Sequence, residues 1–188
     1  MIDIVLAGMK VDAPLSASAV RGKYGYPDNA GETPDSLYTI YDFGDFSMQW
    51  EQAFGAGRGP YNLDVGEPGV AFIGNNGTLV VNRTKWQVYP EMNNGKPMLE
   101  TPEIVYSKTN GLDHHTLNFL NCIRSRQQPN CTIEMGRNAA ITAQLGNLAY
   151  RTESKVQWDD KNNRILNNKG AEKLAKASYR SPWKIPVV

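Results

Sequence analysis

The sequence predicts an α+β fold, a mostly antiparallel open β-sheet with two main helices packed on one face. Three observations carry this. Short β-rich runs joined by hairpin signals fill the first half, helical periodicity with clear start and stop signals fills residues 110–152, and a last hairpin follows.

The opening residues are helical from the start. Ile2, Val5, Leu6 and Met9 fall at i, i+3, i+4 and i+7, and no capping residue precedes them. This reads as a helix over residues 1–9 that enters from a preceding part of a longer protein. Ser16–Tyr24 reads as a strand, followed by a Pro-, Gly- and Asp-rich loop through Pro34. Ser36–Phe43 and Phe46–Phe54 are β-rich and joined by Gly44-Asp45, a strong hairpin signal. Phe46, Met48 and Trp50 alternate with Ser47, Gln49 and Glu51, so one face is apolar and suits the helices. Ala53–Pro68 is a Gly-rich loop that lacks the Gly-Lys-Ser/Thr ending of a phosphate cradle. Val70–Ile73 and Thr78–Asn82 flank Gly74-Asn75-Asn76-Gly77, a second hairpin; Trp86–Tyr89 is a short strand and Asn93–Thr101 a polar loop.

Asn110 is placed to cap the first main helix, with Asp113 in its first turn and a stripe of Leu112, Phe119, Leu120 and Ile123. Pro129 forbids continuation, and Thr132 caps the second helix. Gly136, Ala139, Ala140, Ala143 and Gly146 lie three or four apart on this helix. Each interior glycine costs about 1 kcal/mol relative to alanine, so close approach by a neighbouring element is expected at Gly136 and Gly146. Val156–Trp158 and Arg164–Leu166 bracket the last hairpin, and a short helix around Ala171–Ala177 leads to Trp183.

Composition narrows the function. A net charge of +1 argues against a nucleic-acid partner, which needs a concentrated basic face. No window approaches the ~20 apolar residues of a membrane span. Cys122 and Cys131 read as buried or half-buried free thiols rather than a disulfide, and no Cys/His spacing suggests a metal. Adjacent helical positions point about 100° apart, so His114 and His115 do not share a metal and read as surface or capping residues. The acids Asp42, Asp45, Glu51, Asp64 and Glu67 read as solvated. Tyr38, Tyr41, Trp50, Tyr61 and Trp86 offer aromatic surface to a sugar, although strand aromatics are more often core. Arg58, in the Gly-rich loop, is the cation best placed for a substrate.

A family resemblance joins these features. Residues 118–151, NFLNCIRSRQQPNCTIEMGRNAAITAQLGNLAYR, followed by Val156-Gln157-Trp158-Asp159, resemble the C-terminal domain of the Gfo/Idh/MocA oxidoreductases. Pro34-Asp35-Ser36, Trp50-Glu51-Gln52, Gly74–Thr78 and the ending Tyr179-Arg180-Ser181-Pro182-Trp183 are similar to a bacterial subgroup of it. The resemblance implies that residues 1–188 are a single substrate-side and oligomerisation domain of an NAD- or NADP-dependent enzyme acting on a sugar, polyol or glycoside. It implies a Rossmann-type N-terminal domain as partner, a homo-oligomer formed through the sheet, and no cofactor held by these residues. The family's His-x-x-Asp motif touches this chain only at Asp3, so no catalytic residue is expected here; Arg58, Tyr61 and Trp50 are the expected substrate contacts. A non-catalytic carbohydrate-binding or assembly module is the rival reading.

Overall fold

The computed structural model describes residues 1–53, 68–177 and 179–184. Its elements run α1 (Ile2–Met9), β1 (Ser16–Gly22), β2 (Ser36–Asp42), β3 (Ser47–Ala53), β4 (Gly69–Gly74), β5 (Gly77–Asn82) and β6 (Lys85–Pro90). Then come β7 (Met92–Asn93), β8 (Lys96–Pro97), β9 (Val105–Tyr106), α2 (Gly111–Ser125), α3 (Ile133–Thr152), β10 (Val156–Asp159), β11 (Arg164–Leu166) and α4 (Lys169–Leu174). The fold is α+β and antiparallel throughout its described ladders, as expected. Among the described residues the strands form sheets of five, four and two rather than one. The chain divides into two compact units, Met1–Val11 with Ala56–Gly136, and Asp12–Gly55 with Arg137–Val188.

In the second unit the sheet order is β11-β10-β1-β2-β3. Gly44 at φ 89° makes the tight β2–β3 turn that the Gly-Asp pair predicts, and Phe43 stacks on Phe46 with ring centres 4.6 Å apart. Register sorts the side chains. Ala17, Tyr41 and Met48 stand opposite one another and are all buried. One step along, Ser18, Ile40 and Gln49 stand opposite one another and are all exposed. The buried row faces α3, whose Asn138, Thr142, Leu145, Gly146 and Ala149 are buried at helical spacing.

Gly146 is where helix and sheet touch most closely. A Cβ there would overlap the Tyr41 hydroxyl and lie 3.2 Å from Thr39 Cγ2. Burial pushes the Tyr41 phenol up to about 12, the Thr39 side chain alongside acting in the opposite sense. Gly136 is a correction. A Cβ on it meets nothing within 4 Å, so the expected close packing holds at Gly146 and not at Gly136. The two glycines are ten residues apart, which at about 100° per residue places them roughly 80° apart around the helix.

The first unit builds its sheet in the order β4-β5-β6-β9. Gly74 pairs with Gly77 across Asn75-Asn76, the hairpin the sequence predicts. A Cβ on Gly77 would sit 2.7 Å from the Tyr89 carbonyl oxygen, so only glycine fits there. The polar loop expected at Asn93–Thr101 instead folds back as the β7–β8 hairpin, because Asn94 (φ 50°) and Gly95 (φ 76°) both take the left-handed conformation of a two-residue turn. α1 rests on this sheet through Gly8, where a Cβ would meet the Phe72 ring at 2.9 Å.

α2 follows the helix signals that the sequence carries. Asn110 caps it, its side chain accepting from the Leu112 N–H, and Arg126 ends it at φ 60°. No residue of α2 is buried, and Leu112 at its head is 70% exposed. In the second unit α3 covers its sheet in the predicted manner.

Candidate functional site

The open face of the five-stranded sheet gathers the exposed side chains of the second unit. Val20, Tyr38 and Glu51 stand opposite one another, next to the row of Ser18, Ile40 and Gln49. Val20 is 66% exposed and Ile40 55%, so an apolar strip crosses a surface otherwise made of hydroxyls, amides and a carboxylate. Such a surface offers hydrogen bonds and contact area but no nucleophile–base pair.

Where β1 runs out, the loop to β2 is organised by Asp35. Its carboxylate accepts from the backbone N–H groups of Tyr24 (2.9 Å), Gly25 (3.1 Å) and Tyr26 (2.7 Å), and Ser36 Oγ donates to it at 2.9 Å. Desolvation works to raise the Asp35 carboxyl, but the Tyr26 N–H, the Ser36 hydroxyl and the other two N–H groups outweigh it and hold it below its ordinary value of 3.8. A folded value below the unfolded one means that the latch is fully formed above the ordinary aspartate value. It is then lost as pH falls through the lowered folded value. The amide resonances of Tyr24, Gly25 and Tyr26 are therefore expected to titrate together with a midpoint below 3.8. Asp35→Asn should abolish that titration, and a midpoint at or above 3.8 would contradict the arrangement.

The start of α3 carries a second polar cluster. Arg137 Nη2 donates to Asp160 Oδ1 (3.1 Å) and Asn163 Oδ1 (3.0 Å), and Nη1 donates to Asn138 Oδ1 (2.9 Å). Asn138 Nδ2 donates to Asp12 Oδ1 at 2.8 Å, and Trp158 Nε1 to Asp160 Oδ1 at 3.0 Å. These groups satisfy one another, tying α3 to the β10–β11 turn, and read as a structural clamp.

The residues singled out in the sequence scatter. Asp3 is exposed in α1 and pairs with the Met1 amino group at 2.8 Å, which holds its carboxyl below 3.8. Trp50 lies on β3, the edge strand of its sheet, opposite Thr39 and therefore on the α3-facing side rather than the open one. Arg58 and Tyr61, with the Gly-rich loop that carries them, lie outside the described residues, as do Asp64 and Glu67. His114 and His115 are both exposed in the first turn of α2. Cys122 and Cys131 are free thiols, as expected, but Cys131 is exposed rather than buried. Among the described residues no group of three or more His, Cys, Asp and Glu could hold a metal, and no helix is long and apolar enough to cross a membrane. A hollow of about 690 Å³ is lined by Tyr179, Ser181, Pro182, Trp183 and Lys184 of the terminal tail alone. The Asp35 latch is the feature that the sequence did not disclose. Pro34-Asp35-Ser36 marks a strand start, but nothing local says that three amides eleven to nine residues upstream converge on it.

A family model described as "Oxidoreductase family, C-terminal alpha/beta domain", of the Gfo/Idh/MocA group, matches residues 74–185. The chain belongs to this family. Solved structures show the same fold. One is the UDP-N-acetylglucosamine 3-dehydrogenase GnnA from Acidithiobacillus ferrooxidans, at TM-score 0.56 and 12% identity over 79% of this chain and 44% of that one. Another is the aldose-aldose oxidoreductase from Caulobacter crescentus complexed with glycerol, at 0.57 and 15% over 84% and 45%. A third is the WlbA dehydrogenase from Bordetella pertussis in complex with NADH and UDP-GlcNAcA, at 0.53 and 13% over 84% and 44%. The chain thus spans under half the length of each. No curated protein sequence matches it significantly. In this Gfo/Idh/MocA domain residues 133–151 and Trp158-Asp159, part of the stretch that carries the likeness, lie on α3 and β10 beside the clamp. They build the scaffold.

Proposed function

We propose that the chain is the substrate-binding and self-associating domain of a nicotinamide-dependent dehydrogenase acting on a sugar, polyol or glycoside. The observation that carries this reading is the two-sided character of the five-stranded sheet in a chain of this family. α3 seals one face at Tyr41 and Gly146, and the other presents Val20, Tyr38, Ile40, Gln49 and Glu51 to solvent. Both units work as one domain beside a Rossmann-type N-terminal partner that binds NAD or NADP. That cofactor, when bound there, accepts or delivers the hydride; the residues of this chain hold and orient the substrate. Arg58, Tyr61 and the edge residue Trp50 are the proposed substrate contacts, and Asp3 is the residue nearest the catalytic motif.

The chain's own residues do not suit a dinucleotide. α2, α3 and α4 begin at Asn110-Gly111, Thr132-Ile133 and Asn168-Lys169, and none of these starts carries a Gly-x-Gly-x-x-Gly turn out of a strand. Calorimetric titration of the chain with NAD⁺, NADH or their phosphorylated forms is therefore expected to give no binding. Micromolar affinity for any of them would overturn the assignment of cofactor binding to a separate domain.

A further inference from the structure

We propose that Asn94 is a site of covalent modification, where the chain loses side-chain ammonia and passes through a cyclic imide to aspartate and isoaspartate. The inference is independent of the substrate reading. The chain holds three Asn-Gly pairs, Asn76-Gly77, Asn94-Gly95 and Asn110-Gly111. A glycine after asparagine leaves its amide nitrogen sterically open to attack the side-chain carbonyl, so the dipeptide alone treats the three alike. The structure separates them. Asn94 and Gly95 form the exposed tip of β7–β8, and a Cβ on Gly95 would meet nothing within 4 Å. Among the described residues neither the Asn94 carboxamide nor the Gly95 N–H has a hydrogen-bond partner. β7 and β8 are a two-stranded sheet of their own with two residues in each strand, and so short a pair opens readily in water. Opening frees Asn94 from its φ of 50° and lets its Cγ reach the Gly95 nitrogen.

The other two pairs are held. Asn110 Oδ1 accepts from the Leu112 N–H at 3.0 Å and Gly111 opens α2, so both residues are fixed in a helix start. The Asn76 carbonyl accepts from the Glu91 N–H at 2.9 Å. Gly77 pairs with Gly74 on one side and Pro90 on the other, crowded against the Tyr89 carbonyl. At Asn94 the Gly95 nitrogen bonds to Cγ as its proton passes to water. The bond from Cγ to Nδ2 then breaks, and the amide leaves as ammonia with a proton returned from water. A second water opens the imide at either carbonyl, so the net change is water taken up and ammonia released, with no oxidant or reductant. Opening at the main-chain carbonyl gives isoaspartate, which routes the backbone through the former side chain. The turn depends on two consecutive left-handed residues, and the longer backbone cannot keep Asn93 opposite Lys96.

The test is incubation of the whole chain in mildly alkaline buffer, followed by peptide mapping in a mass spectrometer. An isoaspartyl O-methyltransferase with S-adenosylmethionine is the probe for isoaspartate. Asn94 is expected to convert about tenfold faster than Asn76 or Asn110, which wait on opening of more firmly bonded parts of the fold. In guanidinium chloride, where that protection is gone, the three pairs are expected to convert at similar rates. The methyl label should fall on residue 94, and Asn94→Ser should remove it. In the modified chain the Lys96 amide resonance should move, while that of Met98, whose N–H donates to the Glu91 carbonyl at 2.8 Å, should stay. Conversion of Asn76 or Asn110 as fast as Asn94 in the folded chain would overturn the assignment. So would an Asn94 that stays intact, or a preference for it that persists undiminished in guanidinium chloride.

Discussion

Replacing Gly146 by leucine is expected to destabilise the second unit by about 1–3 kcal/mol, the range for forcing extra side-chain volume into a well-packed core. The cause is local. The Cβ alone would overlap the Tyr41 hydroxyl and press Thr39 Cγ2 at 3.2 Å, and both residues belong to the buried face of β2. Neither neighbour can withdraw into solvent. Tyr41 is 3% exposed, and Thr39 Oγ1 is already buried without a hydrogen-bond partner. Gly136→Ala provides the opposite result on the same helix. Nothing lies within 4 Å of its added methyl, so the substitution should return about 1 kcal/mol of helix propensity. Urea denaturation of the two variants should move the midpoint in opposite directions. An unchanged midpoint for Gly146→Leu would show that α3 does not seat on the sheet at this point.

Local chemistry made most of this fold legible, and long-range pairing hid the rest. Gly44-Asp45 and Asn75-Asn76 announce their hairpins because a two-residue turn is set by the residues within it. Asn110 and Thr132 announce helix starts because a cap bonds two or three residues away, here to Leu112 and Met135. The division into separate sheets depends on pairings such as Ala17 with Val156, which no window of sequence contains. The stripe on α2 shows where the periodicity argument ends. Leu112, Phe119, Leu120 and Ile123 lie along one side of the helix, yet all are exposed in the described structure. Amphipathicity specifies that a face is apolar, not what covers it. The candidate site follows the same division. Alternation along β3 placed Gln49 and Glu51 opposite Met48 and Trp50, whereas the loop held by Asp35 depends on contacts across nine to eleven residues.

The open sheet face should also join copies of the chain, and breaking that face is the second large effect. Ile40 stands on it between Ser18 and Gln49, and 55% of it is in solvent. In a two-fold contact each substitution is felt twice, and a glutamate at residue 40 would face its own copy beside Glu51. Like charges brought together in a desolvated contact cost several kcal/mol, so Ile40→Glu should weaken association on the order of a hundredfold or more. Because the side chain points away from α3, the variant should unfold at the same denaturant concentration as the parent. Light scattering of the unmodified chain near neutral pH, across a tenfold dilution, is the direct measurement. A mass of at least two chains that falls towards one chain in Ile40→Glu is the predicted result; a constant 20.9 kDa at every dilution of the unmodified chain would contradict it.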